Sequence, residues 1–242
     1  MEYIFLAAGI GSRLYPYTKN SPKCLVNVTD SETVIERAIR LIQTYDKEAS
    51  ITVVLGFCSE LIMNLLGDKC KYIINPFYKV TNSVASLWFA REILSSSSEV
   101  VVLNADIVFS NSFAKIIVEK PTESIIYFDS SIRSHGDYNV QVLDDYMVVM
   151  GKELEQYNGE YVGITKYDKQ GVKVLLKEVE SLVMDNLYDQ WYENGLVQLS
   201  LSGGYRFKAI DVCEFQWSEI DAIDNLLKIK NIIRNESNIA KE

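Results

Sequence analysis

Residues able to carry chemistry first appear in the run Leu6-Ala7-Ala8-Gly9-Ile10-Gly11-Ser12-Arg13, with Lys23 shortly after it. Small residues and glycines at the end of an apolar strand let backbone N–H groups approach phosphate oxygens, and Arg13 and Lys23 supply the positive charge that a triphosphate needs. A Gly-x-Gly turn alone is as often a plain connection, and this one fits neither the Walker A pattern nor the full dinucleotide fingerprint. Two carboxylates lie far along the chain. Asp106 ends the apolar run Val101-Val102-Leu103-Asn104-Ala105, and Asp221 ends Trp217-Ser218-Glu219-Ile220. In an open α/β sheet the ligand lies beyond the strand C-termini, so an Asp placed there faces the site, although caps and turns use the same residue. Read alone, Asp221 would cap the last helix, with Glu219 and Asp224 solvated.

The elements that must position these residues are legible as alternating patterns. Tyr3–Ala7, Ile51–Leu55, Lys71–Ile74 and Val100–Leu103 are apolar runs of strand length, with helical periodicity between them. That alternation predicts an α/β fold, a Rossmann-like, mostly parallel mixed sheet flanked by helices. The first helix is expected near Ser31 as its cap, with Val34, Ile35, Ala38, Ile39 and Ile42 on the apolar face. A second is expected over Ser83–Leu94, ending in a polar serine run. Beyond residue 120, Ser124–Phe128, Asn139–Val142 and Met147–Met150 read as strands. The last two are joined by a turn at Leu143-Asp144-Asp145, which suggests a small antiparallel insertion beside the main sheet. Gly171–Asn194 has the length of one long helix, and Asp221–Ile233 reads as a terminal helix followed by a fraying polar tail. With no repeat or linker, a single domain is expected over 1–242, its core about 3–233.

Composition narrows the function. The chain has 24 basic and 33 acidic residues, a formal charge of −9, the wrong sign for a protein that neutralises many phosphates along a nucleic acid. A local basic pocket for one triphosphate is still allowed. Cys24, Cys58, Cys70 and Cys213 show no C-x-x-C spacing, and the single His135 gives no zinc cluster, so reduced thiols are expected. No basic, long-apolar leader opens the sequence, and no run approaches the ~20 apolar residues of a membrane span. A cytoplasmic protein with no membrane and no nucleic-acid partner is the expectation.

Over nearly its whole length, L-A-A-G-x-G-S-R-L-x-P-x-T-x-x-x-P-K-x-L resembles the signature loop of the sugar-phosphate nucleotidyltransferase superfamily. Asn104-Ala105-Asp106 is similar to the Gly-Asp or Ala-Asp pair whose Asp holds the metal in that superfamily, and Trp217–Leu226 to its W-x-E-I-D-T-x-x-D-L segment. The resemblance spans residues 3 to 230. It implies nucleotide contacts from Leu6, Ala7, Ala8, Gly9, Gly11, Ser12 and Asn104, catalytic charge from Arg13 and Lys23, and Mg²⁺ ligands at Asp106 and Asp221.

A narrower resemblance covers about thirty residues. Asn75–Trp88 is similar to the N-P-x-Y-x-x-x-N-x-x-x-S-L stretch of the phosphocholine and phosphonate cytidylyltransferase branch, and Gly151-Lys152 and Gly159–Ile164 also fit it. This implies nucleotide contacts from Asn82 and Ser86, and acceptor contacts from Lys152 and Glu160. As bare features, Asn82 could equally cap a helix and Lys152 be a solvated charge. Tyr188, Asp189, Trp191 and Tyr192 could surround a cationic acceptor amine, or belong to the core. The implied partners are CTP, or another NTP, and a small phosphorylated acceptor. The implied product is a CDP- or CMP-linked precursor for decorating surface polysaccharide or lipid. Sugar-1-phosphate transfer from UTP, dTTP or CTP is the alternative within enzymes. A non-catalytic relative would commonly lose the loop base or a metal carboxylate, whereas this chain keeps all four residues. Whether it forms a homodimer stays open.

Overall fold

The computed structural model describes residues 1–132, 136 and 138–239, so His135 lies outside the described residues. The chain runs through β1 (Glu2–Ala7), α1 (Val34–Tyr45), β2 (Ser50–Leu55), α2 (Ser59–Leu66), β3 (Lys71–Ile74), α3 (Ser83–Phe89), α4 (Arg91–Ser96) and β4 (Val100–Asn104). It continues through β5 (Ile107–Phe109), α5 (Asn111–Val118), β6 (Ile125–Asp129), β7 (Asn139–Leu143), β8 (Tyr146–Gly151) and β9 (Gly159–Tyr167). It ends with α6 (Lys169–Met184), α7 (Tyr192–Leu201), β10 (Lys208–Asp211), β11 (Trp217–Glu219) and α8 (Ile223–Ile239).

Side chains alternate between the two faces of a strand, so a strand apolar at every position needs cover on both. Tyr3, Ile4 and Phe5 of β1 are all fully buried. Tyr3 and Phe5 pack with α1, α2 and α5, while Ile4 packs with α3, α4, α6 and α7. The result is a sheet between two helical layers, as expected of α/β patterning. Nine strands run in the order β3-β2-β1-β4-β9-β6-β10-β8-β7. β1, β2, β3 and β4 are mutually parallel; β9 runs antiparallel to β4 and β6, and β10 is parallel to β6. The β7–β8 hairpin turns through Asp144 and Asp145, both at positive φ (50° and 66°), the geometry of a type I′ turn. It is the expected small antiparallel insertion, and it joins the main sheet, because β8 pairs with β10 and β7 with β9.

Several boundaries differ from expectation for local reasons. Thr33, not Ser31, caps α1: its hydroxyl accepts from the Glu36 N–H while Glu36 Oε2 accepts from the Thr33 N–H, a reciprocal capping box. The helix expected over 83–94 is broken at Ala90, whose N–H bonds to the Leu87 carbonyl at 3.0 Å and tightens the turn. The long helix over 171–194 is two helices. Asn186 adopts a left-handed φ of 62°, and the Asn186 and Leu187 N–H groups bond back to Val183 and Leu182, which closes α6 as a Schellman motif. Tyr188 and Asp189 therefore lie in the connection and Trp191 is the N-cap of α7. The terminal helix begins at Ile223 and continues to Ile239, through most of the expected tail. No helix among the described residues is long and apolar enough to cross a membrane.

Candidate active site

The loop after β1 turns at Gly11, whose φ of 69° is left-handed. A Cβ there would lie 2.7 Å from Lys23 Cγ, so the glycine both allows the turn and lets the lysine stem cross the loop. Thr18 Oγ1 donates to the Gly11 carbonyl at 2.7 Å and fixes the turn from behind. Gly9 is different: a Cβ there would meet nothing within 4 Å, because the loop borders open cavity at that point. Lys23 opens a short 3₁₀ turn after Pro22, and its side chain is only 12% exposed.

The carboxylates come from a two-stranded ribbon outside the main sheet. β5 pairs antiparallel with β11, Glu219 opposite Ile107, and the Ile220 N–H bonds to the Asp106 carbonyl at 3.0 Å. That pairing carries Asp221 from the far end of the chain to Asp106. Asn225 Oδ1 accepts from the Asp221 and Ala222 N–H groups, and the Asp221 carboxylate turns instead to Lys23 and Arg13. Glu219 joins them. Oxygens of Asp106, Glu219 and Asp221 all lie within 4.8 Å of one another, and no other such trio of potential ligands occurs among the described residues. Lys23 Nζ lies 3.4 Å from Asp106 Oδ2 and hydrogen-bonds to Asp221 Oδ1, which Arg13 Nη2 reaches at 3.0 Å.

Three carboxylates thus face two cations, and their electrostatics follow. Burial raises the Asp106 pKa; Lys23 pulls it back and Asp221 pushes it up again. Glu219 is held well above the ordinary carboxylate range by burial, then by Asp106 and Asp221. Burial opposes the charge on Lys23, yet Asp106 and Asp221 keep its pKa above the usual lysine value. Hard oxygen donors with surplus negative charge fit a small divalent cation. The adjacent Cys24 is fully buried, and burial pushes its thiol far up, which makes it a poor nucleophile.

A cavity of about 770 Å³ opens beside this cluster. Leu6, Ala7, Ala8, Gly9, Gly11, Ser12, Arg13 and Lys23 line one side, and Asn82, Ser86, Asn104 and Asp106 line another. Asn104 is held by a close fit to β9: Gly163 has φ 79°, and a Cβ on it would lie 2.8 Å from Asn104 Nδ2. Asn82 does cap α3, its Oδ1 accepting from the Ser83 N–H, so what it offers the cavity is its Nδ2 group. Ser86 is held by Asn75, a buried residue whose Nδ2 also donates to Thr81. Lys152, Glu160 and Trp191 also line the cavity, together with Tyr138, Tyr161, Glu193 and Asn194, which the sequence motifs did not point to. Tyr192 is a correction. It is 1% exposed and its hydroxyl bonds to Tyr161 at 2.7 Å, because as the first residue of α7 it turns inward against the sheet.

The Nucleotidyl transferase family profile matches residues 2–132, which include the loop, Lys23, Asn104 and Asp106. The chain belongs to that family. Among curated relatives it is 27% identical to the CTP:phosphoglutamine cytidylyltransferase of Campylobacter jejuni, over 93% of this chain and 98% of the relative. It is 26% identical to the 2-aminoethylphosphonate cytidylyltransferase of Lancefieldella rimae, over 82% of each. The fold matches that of the CTP:phosphocholine cytidylyltransferase of Streptococcus pneumoniae with a TM-score of 0.78, 20% identity, and coverage of 96% of this chain and 98% of that one. The nucleotidyltransferase thus has the loop, both cations and three carboxylates gathered beside its cavity.

Proposed function

We propose that this nucleotidyltransferase moves CMP from CTP to a small phosphorylated acceptor, with Mg²⁺, and releases pyrophosphate. The observation that carries the reading is the meeting of Arg13, Lys23 and three carboxylates beside a phosphate loop, next to a cavity that Lys152 and Glu160 also line. CTP as donor rests on the relatives, which cover 93% and 82% of the chain.

In the reaction, a phosphate or phosphonate oxygen of the acceptor attacks the α-phosphorus of CTP, the bond from that phosphorus to the bridging oxygen breaks, and pyrophosphate leaves with the bonding pair. No protein nucleophile is needed, since such transfer runs mostly on positioning and charge stabilisation. Backbone N–H groups of Gly9–Ser12 receive the outer phosphates, and Arg13 faces the departing charge. Lys23 stands where the α-phosphoryl group gains negative charge. Asp106, Glu219 and Asp221 would hold Mg²⁺, which neutralises phosphate charge when bound. Lys152 would hold the acceptor phosphate in line.

Pyrophosphate release, screened over the four NTPs against phosphate esters, phosphonates and hexose 1-phosphates, tests the reading. CTP with a phosphate ester or phosphonate should be the productive pair. Turnover of UTP or dTTP with a hexose 1-phosphate instead would refute it, and CTP binding without turnover of any acceptor would mark a regulatory relative.

A further inference from the structure

Asn75 is 1% exposed, and the hydrogen bonds around it set its carboxamide in one orientation. The Phe77 N–H donates to its Oδ1 at 2.9 Å, so its two N–H bonds point the other way. They go to two hydroxyls that line the cavity, Thr81 at 3.1 Å and Ser86 at 3.2 Å. A hydroxyl has one proton and two lone pairs. Thr81 Oγ1 accepts from Asn75 and sends its own proton to the Phe77 carbonyl at 2.9 Å, which leaves it one lone pair. Thr81 thus has an acceptor to offer and no donor, at a position that the motif N-P-x-Y-x-x-x-N-x-x-x-S-L leaves open.

The strand order tells which part of the nucleotide would reach it. In β3-β2-β1-β4-β9, Asn75 follows β3 and Asp106 follows β4, so the two flank the loop after β1 on opposite sides. Glu160, in β9, is on the Asp106 side, and Lys152, just after β8, is farther out on that side. With the metal carboxylates and the acceptor residues on one flank, the nucleoside has the other. That flank is pressed against the phosphate loop: a Cβ on Gly56 would lie 2.6 Å from Tyr78 Cβ and 2.7 Å from the Ala8 carbonyl oxygen.

Resting on the cytidylyl-transfer reading, we propose that Thr81 sets the choice of base, its hydroxyl taking an N–H of the exocyclic amino group of cytosine. Asn82, the next residue, keeps its Nδ2 group for the cavity. An acceptor beside a donor matches cytosine, whose amino N–H sits next to the N3 lone pair. Uracil and thymine carry the reverse pair, a carbonyl oxygen beside an N3–H. Thr81 could receive that carbonyl only by turning its proton away from Phe77, which exchanges one hydrogen bond for another and adds none.

Calorimetric titration of the wild-type protein with CTP and with UTP, each with Mg²⁺ and without acceptor, tests this. CTP should bind at least about tenfold tighter, the worth of one added hydrogen bond. In Thr81→Val, which keeps the shape and removes the hydroxyl, CTP should weaken to within about threefold of UTP while UTP holds its wild-type affinity. Thr81→Ser, which keeps the hydroxyl, should retain the preference. A Thr81→Val protein that kept the full preference, or that weakened on both nucleotides alike as a merely structural role would require, would overturn the inference and leave cytidylyl transfer standing. The triphosphate of pyrimidin-2-one riboside, which lacks the amino group, should bind the wild-type protein at least about tenfold more weakly than CTP. Binding equal to that of CTP would overturn the inference whether or not the variants fold. Wild-type protein that bound UTP as tightly as CTP would also overturn it, and turnover of UTP with a hexose 1-phosphate would overturn the reading beneath it.

Discussion

Lys23 occupies the very carboxylates that would hold the metal, so replacing it separates its two roles. Without a metal it is the counter-ion of the acid cluster, 3.4 Å from Asp106 and bonded to Asp221. At an effective dielectric of ~20, one such pair at that distance is worth about 5 kcal/mol of gross attraction. Desolvation of both partners cancels much of this, leaving ~1.5–3 kcal/mol for a hydrogen bond to a charged group. A metal entering the wild-type site must displace that interaction. In Lys23→Ala it need not, so Mg²⁺ should bind roughly tenfold tighter or more, a factor that corresponds to ~1.4 kcal/mol. The metal-free variant should melt lower than wild type, because three carboxylates are left with Arg13 alone, and Mg²⁺ should raise its Tm by more than it raises that of wild type. Turnover should fall at least about a hundredfold, the usual cost of losing one group that stabilises developing charge. Thermal shift across a Mg²⁺ titration, beside pyrophosphate release, reads both effects. A folded variant with wild-type turnover, or one whose Mg²⁺ response is no larger than wild type, would refute the reasoning.

Asp106→Ala and Asp221→Ala should each lose normal Mg²⁺ saturation, and the double variant should be little slower than the worse single one, since groups acting as a unit are not additive; kinetics at varied Mg²⁺ check this. Gly11→Ala forces a side chain into a left-handed φ and against Lys23 Cγ, so it should cost ~1–2 kcal/mol of stability in a denaturant titration and reduce turnover by more than the stability loss accounts for. Glu193, held at about 8 against 4.5 when unfolded, binds its proton more tightly in the folded protein. Stability of the ligand-free protein should therefore fall as pH rises from about 4.5 to about 8, by at most ~5 kcal/mol, and level off above. Glu193→Gln should flatten that segment of the urea-denaturation profile, and parallel profiles for the two proteins would refute the assignment.

The parallel half of the sheet was readable because its strands are covered on both faces by helices and so appear as plain apolar runs, as in Tyr3–Ala7 and Val100–Leu103. The antiparallel half was harder. β9 is the centre of that half and is nearly all buried, yet it carries Thr165 and Lys166. Lys166 is tolerated inside because its Nζ donates to the Ile116 and Glu119 carbonyls at 2.9 and 2.8 Å and thereby ties off the end of α5. A polar residue with long-range partners hides a strand from any periodicity rule. Asn186 hid a helix end in the same way, since an Asn inside an apolar period reads as a surface position until its left-handed backbone is seen.

The site divides along a similar line. Backbone-driven features announce themselves in sequence, because a phosphate loop needs glycines at fixed spacing and a cation behind them. Glu219 could have been added by the same logic. Trp217, Glu219 and Asp221 fall at every second residue, so a strand there puts both carboxylates on one side, and the solvated reading of Glu219 required it to be no strand. Glu193 had no such signal. In sequence it is an ordinary acid in the first turn of a helix, a place where acids are favoured by the helix dipole whatever they face. Only the tertiary fold turns it inward, where it is 2% exposed and its second oxygen has no hydrogen-bond partner. On the proposed reading the loop and ribbon would serve what all donors share, triphosphate and metal, and so repeat a spacing. The acceptor would be the part that varies, so no fixed spacing announces the side chains that hold it.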